Sequence, residues 1–257
     1  MAWSKFPYPD DSYAHTPASL MKAWARLHAG DAEPFPKDAA LVDAWIAFHA
    51  GEFEKAAKLG LAAGMDGYSV ANKASAIYAN YLEKSEKKKL AMFEEIAERC
   101  EAQQKEQPKN PAAWYWHAYA LGRYAQGISI VKALSQGIGN KVKNSLDMTV
   151  KLAPKHADAH IGLGTYHAEI IDKVGAMIGG LTYGAKKEDG LKFFKAALKL
   201  NPDSAIARVE YANGLVMLEG KKKMDEAVKL YEEAAACEPA DAMERLDVEL
   251  AREELDD

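Results

Sequence analysis

Apolar and small residues recur at three- and four-residue spacing through most of the chain, and prolines interrupt the pattern at matching places. Over residues 190–200 the stripe is Leu191, Phe194, Ala197 and Leu198; over 224–234 it is Ala227, Tyr231 and Ala234. Such spacing collects these side chains on one face of a helix and leaves the other face polar. Leu152-Ala153-Pro154, Leu200-Asn201-Pro202, Gln107-Pro108 and Glu238-Pro239 each stop a helix, and the polar residues and alanines that follow open the next. Proline does this because it lacks an N–H and its ring clashes with the preceding turn. An earlier helix pair reads over 40–50 and 51–59. Residues 1–37 read as an aromatic arm (Trp3, Phe6, Tyr8, Tyr13) and a first helix, residues 38–239 as the repeated hairpins, and 240–257 as an acidic capping helix and tail. In that last helix Met243, Leu246, Leu250 and Leu255 are expected to face inward. The pattern predicts an all-α fold.

The motifs resemble the tetratricopeptide (TPR) repeat, in which a Leu-Gly-type pair, then Ala, aromatic, Ala and Pro, recur about every 34 residues. Leu163-Gly164, Phe194, Ala197 and Pro202 carry the likeness, as do Ala227, Tyr231, Ala234 and Pro239. It spans residues 38–239 and is densest in the C-terminal half. The resemblance implies an α-solenoid of stacked antiparallel hairpins, whose small residues mark where helix backbones close on one another.

Two units exceed the TPR period. Pro108 to Pro154 is 46 residues and Pro154 to Pro202 is 48, against 37 from Pro202 to Pro239. The surplus falls between the two helices of each hairpin, in glycine-rich inserts at 127–141 and 174–187. Elongated, glycine-interrupted hairpins of this kind look like those of the regulator-of-microtubule-dynamics proteins and of TatT, a TPR lipoprotein associated with solute transporters. TatT-like proteins are exported; the start of this sequence has neither an export signal nor a lipidated cysteine, so a cytoplasmic protein is expected.

Charge and composition narrow the function. The formal charge of −5 is concentrated in residues 238–257, which carry −7, and the remainder at +2 has no basic face of the kind nucleic acid needs. No apolar run is long enough to span a bilayer, and glycine-rich inserts hold amphipathic helices poorly. Cys100 and Cys237 have no ligand spacing around them and read as free thiols. Catalytic and phosphate-binding motifs are missing: Gly137-Ile138-Gly139 lacks the third glycine of a dinucleotide loop, and the glycines of 180–184 are too close for a P-loop. His160 and His167 occupy packing registers, His117 lies in the matching helix of the preceding unit, and the group that they form with His156 lacks metal-ligand spacing. No enzyme activity, cofactor or metal is therefore expected.

The expected function is a non-enzymatic scaffold that binds a protein partner, as peptide or helix, in the concave face lined by the first helix of each hairpin. By register the partner-binding residues are Tyr115, Tyr119 and Arg123; Asp158, Ile161, Thr165 and Glu169; and Val209, Asn213 and Met217. The alternative is a small apolar or amphipathic ligand in a pocket walled by the inserts, with Ile138, Met177 and Tyr183 its lining. The inserts either fold back to fill the groove or form that pocket. Homo-oligomers, the acidic tail of one copy meeting a lysine-bearing turn of another, are a third arrangement that the charge pattern allows.

Overall fold

The structure, a computed structural model, describes residues 3–256. Every regular element in them is helical: α1 (Pro17–Leu27), α2 (Ala39–His49), α3 (Phe53–Ala62), α4 (Tyr68–Tyr81), α5 (Glu86–Glu106), α6 (Pro111–Gln126), α7 (Ile130–Ser135), α8 (Ile138–Leu152), α9 (Ala157–Val174), α10 (Ala176–Tyr183), α11 (Lys187–Leu200), α12 (Ala205–Glu219), α13 (Met224–Ala235) and α14 (Ala242–Asp256), with short 3-10 turns between some of them. The antiparallel hairpins are α2/α3, α4/α5, α6/α8, α9/α11 and α12/α13, and the second helix of each also packs on the first helix of the next.

The stop–start signals work as side-chain caps. Asn110, His156 and Ser204 stand at the N-caps of α6, α9 and α12, and their side chains accept hydrogen bonds from the N–H groups of Ala112, Ala159 and Ala207. Each satisfies one of the donors that a helix start leaves without an intrahelical partner.

Both inserts contain a short helix, where the glycine content had argued against one. α7 is linked to α8 through Gly137 and α10 to α9 through Gly175, whose φ angles of +64° and +82° lie in the region that only glycine adopts freely. Neither helix is amphipathic in the sense of hiding one face. Ile130, Val131 and Leu134 of α7 and Met177, Ile178 and Leu181 of α10 are all exposed.

The two ends of the chain are tied into the stack. Trp3 stacks on Tyr78 with ring centroids 4.2 Å apart, and Phe6 meets Phe53 edge-on. Helix α14 lies across the concave side: Ala242 and Leu246 join the core formed by α1, α2 and α4, while Val248 and Ala251 join Ala205, Val209 and Ala234 of the last hairpin. Leu255, expected to face inward, lies beyond these cores and is exposed.

Candidate functional site

Helices α4, α6, α9 and α12 turn their faces towards a common axis, and α14 and the loop after α1 close over it. Between them is a cavity of about 230 Å³ with a polar end and an apolar end.

The polar end is built on the loop that follows α1. His28 Nδ1 donates to Asp31 Oδ1 at 2.8 Å, and Lys73 Nζ, from the middle of α4, donates to Asp31 Oδ2 at 2.6 Å. All three side chains are nearly inaccessible. Burial favours the neutral forms, but the charges of His28 and Lys73 outweigh it and hold the Asp31 carboxyl well below the usual carboxylate range. Burial dominates for His28 itself and pushes it down to about 4, so near neutral pH Lys73 is the cation of this group. Across from it, the N–H of Asp158 donates to the Gly30 carbonyl at 3.0 Å, which joins the start of α9 to the loop. The Asp158 carboxylate lies over Gly30, within 2.9 Å of where any β-carbon would stand, so a side chain at that position would displace the carboxylate.

The middle of the cavity is crossed by polar contacts between the first helices of the last three hairpins. Arg123 donates to Glu210 at 2.9 Å, Thr165 donates to the other oxygen of Glu210 at 3.0 Å, and Gln126 donates to Glu169 at 2.6 Å. From the opposite side Tyr81 donates to Asp247 of α14 at 2.5 Å, and burial raises that carboxyl well above its ordinary value. Arg26 of α1 holds Glu244 of α14 through two bonds, at 2.5 and 3.0 Å. Fork-to-fork pairs of this kind fix direction as well as distance.

The apolar end belongs to the inserts. Leu134 of α7, Ile138, Val142 and Leu146 of α8, Ile170 of α9 and Tyr183 of α10 wall it. Tyr166 donates to the Tyr183 carbonyl at 3.1 Å, which ties the end of α10 to α9.

Of the residues selected by register, Tyr115, Tyr119, Arg123, Asp158, Ile161, Thr165 and Glu169 border the cavity. Val209, Asn213 and Met217 do not. Val209 is buried with Val248 and Ala251 of α14, Asn213 accepts a bond from the Tyr231 hydroxyl at 2.7 Å, and Met217 is exposed. Because α14 occupies that side of α12, the row facing the cavity is Ile206 and Glu210. Among the insert residues Ile138 and Tyr183 line the cavity, whereas Met177 points away and is 76% exposed.

Asp31, Lys73, Glu244 and Asp247 had no signal in sequence, since none belongs to a repeated register. The histidines have local partners: His117 Nδ1 bonds the Ser145 hydroxyl at 2.8 Å, His160 donates to the Pro154 carbonyl, and His167 stacks on Phe193 and accepts from the Lys186 N–H. Cys100 is buried and Cys237 partly so; both are free thiols. No helix among the described residues is long and apolar enough to cross a membrane.

A stack of hairpins whose first helices face a common concave side, closed by small residues at the crossings, is a TPR-like α-solenoid. A solved structure agrees: TTC0263, a thermophilic TPR protein of Thermus thermophilus, superposes with a TM-score of 0.57 over 83% of this chain and 97% of that one, at 16% identity. At that identity the likeness concerns the fold alone. No curated protein matches the sequence. Residues 66–256 match the family of regulator of microtubule dynamics proteins 1–3, and the chain belongs to that family.

Proposed function

We propose that the chain is a non-enzymatic binding scaffold whose guest is a small apolar or amphipathic molecule held in the concave cavity. TPR-like folds are generally protein-interaction scaffolds, in which an open concave face receives a peptide or helix. Here the observation that carries the reading is that this face is partly covered: α14 and the loop after α1 lie across it and leave a partly enclosed cavity of about 230 Å³. That space is on the scale of a small-molecule site, with apolar walls and a few convergent polar groups.

A protein partner remains the second reading, favoured by one observation. Val131, Met177 and Leu181 are 77%, 76% and 84% exposed on the two insert helices, and exposed apolar side chains of this size are available to a protein partner. In that reading Tyr119, Arg123 and Glu169 are the rim against which the partner sits.

Gly122 offers a clean test, because it borders the cavity and a β-carbon there would meet no atom within 4 Å. Freshly purified protein, measured by native mass spectrometry, should carry a bound small mass, and Gly122→Phe, which fills the space without disturbing the helix, should be bare. A wild-type protein that is itself bare removes this reading and leaves the docking of a protein partner.

A further inference from the structure

Two carboxyl groups that line the cavity have no cation of their own. The Asp31 carboxylate is matched by Lys73, Glu210 by Arg123 and Glu244 by Arg26. Asp247 has only the Tyr81 hydroxyl, and the side chain of Asp158 has no hydrogen-bond partner among the described residues. Acidic excess alone does not make a site, since carboxylates on a solvated face need no partner. Two further polar residues face the same space. Tyr115 and Asn201 are each 8% exposed, both border the cavity, and neither the Tyr115 hydroxyl nor the Asn201 amide has a hydrogen-bond partner among the described residues, so both are open to a guest.

Resting on the cavity reading above, we propose that the guest carries a primary ammonium group that is held by Asp158, Tyr115 and Asn201, with its apolar tail directed towards Ile138 and Leu146. The chemistry of the groups selects this class. An ammonium has three donors and no acceptor. Facing them are the carboxylate of Asp158, the amide oxygen of Asn201 and the hydroxyl oxygen of Tyr115, each able to accept. Tyr115 and Trp116, which line the cavity, are aromatic residues of the kind that attract a cation. An anionic head group would meet the carboxyl of Asp158, which has no ion-pair partner, while a nearby cation, Lys73, is already engaged by Asp31 at 2.6 Å. Burial, together with the charge of Asp31, pushes the Asp158 carboxyl up to about 7, so a cationic head group bound beside it would favour loss of its proton.

Octylamine, octanol and octanoate share one tail length and differ at the head, and their binding to the full chain can be followed by isothermal titration calorimetry. Octylamine is expected to bind about tenfold tighter than octanol, a difference of about 1.4 kcal/mol, with octanoate the weakest. Asp158→Asn should bring octylamine down to the affinity of octanol. The comparison of head groups on the wild-type protein stands even if that variant folds poorly. Equal binding of octylamine and octanol, or tighter binding of octanoate, overturns the ammonium site while leaving the cavity as an apolar site. Failure of all three to bind overturns the cavity reading itself, and this proposal with it.

Discussion

Phe194 is fully buried and held between two glycines from neighbouring helices, Gly164 of α9 and Gly214 of α12. A β-carbon on Gly164 would lie 2.8 Å from the ring, and one on Gly214 would lie closer still. Neither the ring nor the two backbones can retreat without reopening the crossing. Gly164→Ala is therefore predicted to destabilise by about 1–3 kcal/mol, the cost of overpacking a filled core. Gly122 of α6 has open space before it, so Gly122→Ala should stabilise by about 0.5–1 kcal/mol through helix propensity. Urea unfolding of the two variants distinguishes the cases, and equal effects at both positions would contradict the packing described. The Leu-Gly pair and the aromatic that fills its notch were legible in sequence, because a size rule at a fixed interval leaves a visible trace. Lys73 was not legible. Its partner Asp31 lies in an irregular loop, and their pairing is a product of how the first helices curl round to α4.

At the scale of elements, the hairpins announced by a proline stop and a capping residue were legible, and α4/α5 was not. Between Ser69 and Ala79 every residue of α4 is buried, so no polar face exists to set a helical period. The insert helices are the opposite case. α7 buries none of its residues and α10 only Gly179, so little tertiary packing holds either in place. Helices this short are marginal by themselves. Their amides are predicted to exchange with solvent well before those of α6 and α9, which native-state hydrogen exchange would resolve. Protection of α10 equal to that of α9 would mean that a contact holds it beyond those seen. This looseness suits the proposed function, because α7 and α10 border the apolar end, where a guest would enter.

Across the whole molecule, the last helix meets the first. An ordinary solenoid keeps its ends apart and its concave face open. Here Arg26 of α1 grips Glu244 of α14, His49 of α2 donates to Asp241 at 2.7 Å, and Tyr81 of α4 donates to Asp247. The amphipathic character of α14 could be read from Met243, Leu246 and Leu250. Its seat could not, because the same stripe serves a cap stacked on α13 or a helix laid across the concave side. Conversion of an open groove into a cavity rests on that seat, and so does the preference for a small guest over a peptide. A double-mutant cycle on Arg26→Ala and Glu244→Ala, read by urea unfolding, tests it most directly. The two residues lie 218 positions apart in sequence and meet only if the ends close. A coupling of about 1–2 kcal/mol between the two substitutions is predicted. Strictly additive effects would mean that α14 does not sit against α1 and that the concave face is open.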